Sequence, residues 1–267
     1  MTDNGNLNKL TFGMVPGKRY YNGRYSNGPL WSDYILDLLE VKSSENWAFA
    51  GATTDNGLTY VNRFVPSINA QLNWFKLRGS SCFKDRPKNH LVSYVGGANN
   101  YLNPEITPES TIKDIRRHLI RLIEEFKFEN LLVTDIPPVH SSPSYTGSFL
   151  KHGETSGSIR LDPEMKNKVE MHNIMVAELV NELRLEYPEV NIYFWNFSKV
   201  WKLAERLNPF NSTRWSHELP CFDEFRDHDG CENHEHSFFF DTFHPITQVH
   251  DYFAKDISNF LIENWKM

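Results

Sequence analysis

The feature that most constrains this chain is an alternation. Short apolar runs that read as strands recur between longer segments whose apolar residues fall at helical spacing. The strand candidates are "NWAFAG" at 46–51, "LVSYVGG" at 91–97, "NLLVTDI" at 130–136 and "NIYFW" at 191–195. Helical faces lie between and around them: Leu30, Tyr34, Ile35, Leu38 and Leu39 in one, and Ile68, Leu72 and Phe75 within 65–76 in the next. Thr107-Pro108 supplies a capping hydroxyl and a proline at the first helical position, and Ile112, Ile115, Leu119, Leu122, Ile123 and Phe126 continue that helix. A long helix spans about 164–186 on Val169, Met171, Ile174, Met175, Leu179 and Leu183, and a last one is predicted to start at Pro245 and to carry Val249, Phe253, Ile257, Phe260 and Leu261. Strands apolar on both faces, alternating with helices, predict a parallel sheet covered on two sides. Residues 1–29, rich in Gly, Asn and Tyr, have no sustained period and are expected to form an extended loop. No break in composition divides the 267 residues, so a single domain over 1–267 is expected.

Charge narrows the function. The net charge is −6 with Lys and Arg scattered, so nothing announces nucleic acid or an anionic membrane, and a small-molecule or lipid-like substrate fits better. No apolar run approaches the roughly 18 residues a membrane helix needs. The polar start "MTDNGNLNK" lacks the apolar segment of a secretory signal, which as numbered gives a cytosolic chain. Two features disagree with that address. Asn196-Phe197-Ser198 and Asn211-Ser212-Thr213 are both glycosylation acceptor patterns. Cys221 and Cys231 bracket a short charged loop, and a bridge between them would pin the segment leading to Asp241; in a reducing compartment they stay free thiols. Cys82 is left over as a small buried side chain. "HDGCENHEH" at 228–236, with His217 and Asp223 nearby, is rich in metal-ligating types, but its spacing matches no common zinc pattern, and no metal or other cofactor is expected.

In sheets of this kind, chemistry sits in loops outside the carboxyl ends of the strands. Three polar loops fall there. "FFFDTFHPITQ" at 238–248 sets Asp241 three residues before His244, so a carboxylate can hold the imidazole tautomer that a general base needs; the same string also describes a surface loop capping a helix. In "GGANNY" at 96–101, Asn99 follows a strand and can donate its amide to an oxygen that turns negative, or can simply form a turn. Gly51, ending "NWAFAG", can aim a backbone amide into a cleft with no Cβ in the way, as can many turn glycines that do no chemistry.

Taken in order, "YYNGRYSNGPLWSDYI", "NWAFAGATT", "GANN" and "FFFDTFHP" resemble the successive blocks of the GDSL or SGNH family of ester hydrolases, closest to its lipase-like branch of fungal esterases and thermolabile-haemolysin-type phospholipases. The resemblance implies a three-layer α/β/α sandwich around a parallel sheet and a Ser-His-Asp triad, with Gly51 and Asn99 as oxyanion donors, Asp241 as the orienting acid and His244 as the base. Two departures are visible: Asn100 stands where the family usually has Asp, and Ala50 where it usually has the first glycine of a pair. The family's first block, Gly-Asp-Ser-x-x-Asp-x-Gly-Asn, matches "MTDNGN" only in its tail, so the nucleophile would directly precede Met1. Ser26 lies in the stretch resembling the loop after the nucleophile, and Ser156 and Ser158 follow no strand, so none is a substitute.

As numbered, the chain is expected to lack the sheet's first strand and its serine, to be inactive, and to fold poorly, because an interior strand buries apolar surface worth about as much as a domain's net stability of about 5–15 kcal/mol. The intact product is expected to be a secreted, monomeric lipase or esterase acting on a small-molecule or lipid ester, with no nucleic-acid partner and no transmembrane segment. The alternative is a non-catalytic ester- or lipid-binding remnant of the same fold.

Overall fold

The computed structural model describes residues 1–56, 64–78, 90–146, 163–207, 220–223, 228–229 and 237–265. The chain forms two compact units: Met1–Val41 with Pro138–Lys166 and Lys199–Ser258, and Lys42–Pro137 with Asn167–Ser198 and Asn259–Met267. Its helices are α1 (Asn6–Leu10), α2 (Trp31–Leu38), α3 (Ile68–Arg78), α4 (Pro108–Ile120), α5 (Pro143–Thr146), α6 (Met165–Glu186), α7 (Phe197–Leu207) and α8 (Thr247–Asn264). Strands β1 (Val92–Tyr94), β2 (Asn130–Thr134) and β3 (Asn191–Trp195) pair in that order, and Phe222–Asp223 pairs antiparallel with His228–Asp229 as β4 and β5.

The second unit holds the sheet. β1 runs parallel to β2 with Ser93 opposite Leu132, and β2 parallel to β3 with Leu132 opposite Tyr193. β2 is buried at all five positions, the signature of a strand covered on both faces. Around it pack Ile112, Ile115 and Leu119 of α4, Leu122 and Ile123 of the π-helical turn that extends α4, and Val176, Leu179, Val180 and Leu183 of α6. This is the parallel α/β arrangement that the alternation predicts. The start of α4 follows the sequence closely: Pro108 opens it and the Thr107 hydroxyl accepts the Ser110 amide at 3.3 Å.

The first unit is built on aromatic packing. Trp201 of α7 lies 5.0 Å from Phe238, 5.9 Å from Phe239 and 5.6 Å from Phe253 between ring centroids, and all four rings are buried. Arg24 grips Asp33 with two hydrogen bonds, at 2.7 and 2.9 Å, and Asp33 accepts the Leu30 amide at the start of α2.

Four expectations require correction. Residues 46–51 are half-buried and not a strand: Trp47 and Phe49 pack edge-on against Phe75 and Trp74 of α3, at 5.6 and 5.9 Å, and ring contacts replace strand pairing. Residues 1–29 are not simply a loop, since the buried Asp3 carboxylate accepts the Gly5, Asn6 and Leu7 amides and so starts α1, where Leu7 is buried. The predicted faces of α2 and α6 shift: in α2 the buried ring is Trp31 while Leu38 is exposed, and in α6 Met171 and Ile174 are exposed while Val176 and Val180 are buried. Pro245 does not open α8; it pairs with Phe239 in an isolated bridge, and the helix begins two residues later at Thr247.

Candidate active site

The Asp241 and His244 side chains meet in a tight hairpin. The Phe240 amide donates to His244 O at 2.7 Å and the Ile246 amide to Phe238 O at 3.0 Å, so residues 238 and 246 are tied across the turn. The Ser144 amide bonds Thr242 O at 3.0 Å, and the Cys221 amide bonds Phe239 O at 2.9 Å. Phe238, Phe239 and Phe240 are buried, which fixes the base of the hairpin and leaves its turn to carry polar groups.

Within the turn, His244 Nδ1 stands 2.7 Å from Asp241 Oδ2 and 3.0 Å from Oδ1. A carboxylate cannot donate, so Nδ1 carries the proton and Nε2 keeps its lone pair. Asp241 is fully buried, and the His244 side chain is 25% exposed. The remaining donors to Asp241 are the amides of Phe243 and His244, at 2.7 and 2.6 Å on Oδ1, and the Tyr20 hydroxyl at 2.7 Å on Oδ2. Burial alone would raise the Asp241 pKa; the charge and hydrogen bond of His244, the Phe243 amide and the Tyr20 hydroxyl outweigh it and hold the group below its ordinary range. The arrangement keeps a carboxylate ionised in an apolar setting with an imidazole oriented beside it.

The two predicted anion-stabilising residues lie in the second unit, on segments joined by side-chain amides. Gly51 has φ 79°, in the region that favours glycine. Asn99 Nδ2 donates one hydrogen to Ala52 O at 2.9 Å, leaving a second hydrogen on the same nitrogen. Asn100, fully buried, accepts the Thr54 amide at 2.9 Å and donates to the hydroxyls of Thr54, at 2.7 Å, and Thr111, at 3.1 Å. Thr54 passes its own proton to Asp114 at 2.8 Å, so the chain of bonds has a defined direction. His172 supports the same loop from beneath. Its Nδ1 lies 2.8 Å from the Tyr101 hydroxyl, and a Cβ on Gly97 would stand 2.5 Å from its Cε1.

A family model described as GDSL-like Lipase/Acylhydrolase matches residues 1–257. The chain belongs to that family. It is similar to the Secreted effector protein SseJ of Salmonella typhimurium, 23% identical over 279 residues, covering 98% of this chain and 61% of the relative. It is also similar to the Thermolabile hemolysin of Vibrio parahaemolyticus, 23% identical over 146 residues, covering 54% of this chain and 34% of that protein. The chain thus spans between one third and two thirds of these relatives' lengths.

Sequence reading of this GDSL-family chain missed Tyr20 and Tyr25. Tyr25 packs on the His244 ring at 4.7 Å between centroids, and Tyr20 lies edge-on to Phe240 at 5.5 Å. The signal available was the tyrosine-rich block at 20–35, which the absence of any period disguised as loop. Ser26 is fully buried and donates to Pro245 O at 2.9 Å, and the Asn27 side-chain oxygen accepts the Thr247 amide at 2.8 Å, so this block holds the hairpin and the start of α8.

Cys221 is disulfide-bonded; Cys231 and Cys82 lie outside the described residues, as do Asn211, Ser156, Ser158 and most of 228–236. Asn196 is exposed at the end of β3. Among the described residues no cluster of His, Cys, Asp or Glu could hold a metal ion, and no helix is long and apolar enough to cross a membrane.

Proposed function

We propose that this chain carries the acid, base and anion-stabilising parts of a serine ester hydrolase acting on carboxylic or lipid acyl esters. The observation that carries the reading is the oriented pair: a buried, ionised Asp241 accepting the Nδ1 proton of a partly exposed His244, whose Nε2 can then take a proton. In the reaction, His244 Nε2 removes the proton of a serine hydroxyl as it attacks the ester carbonyl. Asp241 stabilises the imidazolium, and the family resemblance assigns the developing oxyanion to Gly51 and Asn99. His244 then protonates the leaving alcohol and activates the water that releases the acid.

By resemblance, the serine would be that of the family's Gly-Asp-Ser block, whose tail matches Asp3, Gly5 and Asn6. Ser26, with its hydroxyl given to Pro245 O, does not compete for the role. Export is supported by the disulfide at Cys221 and by the name of the secreted relative, and it would expose Asn196 to glycosylation.

The test is hydrolysis of p-nitrophenyl esters by the chain extended with Gly-Asp-Ser and its preceding strand. Turnover is expected, and His244→Ala should lower it by about 10³-fold or more; a variant as fast as the parent would remove the dyad from the mechanism. If the protein gives a cooperative melt and binds acyl esters without turnover, the binding-protein reading is favoured.

A further inference from the structure

The loop that carries Asn99 is held on both sides by one buried side chain. Gly97 lies two residues before Asn99 and Tyr101 two residues after it, and both meet His172 of α6, which is fully buried. The contact with Gly97 is steric. A Cβ there would stand 2.5 Å from His172 Cε1 and 3.1 Å from Thr111 Cγ2, and φ at this position is 109°, in the region that favours glycine. The contact with Tyr101 is polar: its hydroxyl lies 2.8 Å from His172 Nδ1, and the two rings stand edge-on with centroids 5.8 Å apart. Between these two holds the turn closes on itself, the Asn100 amide donating to Gly97 O at 3.1 Å.

Asn100 and His172 do different work on this loop. Asn100 is fully buried and ties the loop to Thr54 and to Thr111 of α4. Asn99 is half-buried and donates from Nδ2 to Ala52 O at 2.9 Å, so the direction of its amide follows the backbone on which it rides. That backbone rests on α6 through His172. Burial lowers the His172 pKa to about 3 and raises that of Tyr101, so at neutral pH an uncharged imidazole meets a hydroxyl that keeps its proton. Filling the space with an imidazole costs more than filling it with leucine, because the ring nitrogens lose water. What the imidazole adds is orientation: one nitrogen is matched to Tyr101 while the ring edge lies beneath Gly97.

We propose that His172 is a positioning residue for the ester-hydrolase reaction, fixing where the Asn99 amide stands by seating Gly97 and bonding Tyr101. The inference rests on the hydrolase reading, in which Asn99 is a donor to the oxyanion. His172 does not touch the substrate; it acts through the loop, and a displacement of about 1 Å in a group that must meet a transition state costs about 10²-fold in rate.

The test uses the serine-extended chain and two readouts. His172→Asn keeps an acceptor near the place of Nδ1 but removes the ring edge beneath Gly97, whereas Tyr101→Phe keeps both rings and removes only the bond between them. On p-nitrophenyl esters, kcat is expected to fall about 10- to 100-fold in His172→Asn and about 5-fold in Tyr101→Phe, with KM within about 2-fold of the parent. Asn99→Ala should lower kcat about 10²- to 10³-fold, and in that background His172→Asn should cost less than about 2-fold more, because the group it positions is gone. An equal loss in both backgrounds would overturn the proposal, as would a raised KM with kcat unchanged. Where His172→Asn does not fold, Tyr101→Phe decides, and a kcat equal to the parent's would overturn the proposal. The second readout needs no turnover: hydrogen exchange of the amides at 98–102 should quicken by about 10-fold or more in His172→Asn while β2 is unchanged. Unchanged exchange in the loop would overturn the proposal as well. A parent chain without turnover, whose loop still loosens in His172→Asn, would count against the hydrolase reading and leave the hold of His172 on the loop standing.

Discussion

The hairpin at 238–246 and the paired segments at 51–54 and 97–102 hold their polar groups by opposite means. In the hairpin, Asp241 and His244 are three residues apart, and the turn that joins them also supplies two of the amides that hold the carboxylate. In the other region, Gly51 and Asn99 come from segments 48 residues apart, and the side chains of Asn99 and Asn100 tie them together. A locally closed site should tolerate changes in its surroundings. A site assembled from distant segments should depend on each cross-link.

The largest expected effect tests the local site. Asp241→Asn presents an amide where His244 Nδ1 now donates, which drives the proton to Nε2 and removes the base. Activity of the serine-extended chain should fall by about 10⁴-fold with little change in fold, measured as kcat/KM on p-nitrophenyl esters. A loss below about 10-fold would mean that the hairpin does not orient the imidazole.

Acid should act next, through buried histidines of the second unit. His118, whose Nδ1 lies 2.9 Å from the Tyr94 hydroxyl of β1, and His172, beneath Gly97, are buried, and burial lowers their pKa to about 3, against about 6.5 when unfolded. A depressed folded value means that their stabilisation is complete above about pH 6.5 and is lost as pH falls toward about 3. At pH 5 the two together should cost about 4 kcal/mol. Buried His250 in α8 shifts the same way, by burial first and then by the Met1 amino group and His244. Asp241 follows in a lower window: its depressed folded pKa keeps its contribution intact above the ordinary carboxylate range and loses it only as pH falls through the folded value. Circular dichroism melts across pH 4–7 check this, and a flat profile would contradict it.

Asn100→Asp probes the cross-link itself. Thr54 has one hydroxyl proton and gives it to Asp114, so a carboxylate at position 100 would keep the Thr54 amide but face a Thr54 hydroxyl oxygen with no proton to share. A loss of about 2–3 kcal/mol is expected in denaturant unfolding. Asp114→Asn in the same chain should restore part of it by reversing the bond direction. Without that rescue, the directed chain of bonds would not be what holds the two segments. The smallest effect is Tyr20→Phe, which removes one of several donors to Asp241. It should lower kcat about 3- to 10-fold with KM unchanged, since about 1 kcal/mol is the usual worth of one such bond.

The same contrast explains what could be read in advance. The strand β2 and helix α4 were legible because burial on both faces, or on one stripe, imposes a period on the sequence; α6 was legible as a helix, but its face was misplaced, since Met171 and Ile174 are exposed. Asp241 and His244 were legible because their spacing is local. The strand expected at 46–51 failed because an apolar run does not state its partner, and there Trp47 and Phe49 found α3. The helix start at Pro245 failed because proline also suits the bridge with Phe239 that closes the hairpin. Asn100 looked like a departure from the family pattern, yet it binds the backbone and hydroxyls of distant segments, a role with no local signature. Tyr20 and Tyr25 went unread for the same reason.

By itself, the sequence determined the parallel α/β layering, the family and the adjacency of an acid and a base, because periodicity and short spacing are properties of the chain alone. Tertiary structure decided that Tyr20 donates to Asp241, that Asn100 joins two loops in one bond direction, and that the His172 ring meets both Gly97 and Tyr101. Each of these depends on which groups meet after burial has chosen the partners, and that choice minimises the free energy of the whole fold rather than of any one segment.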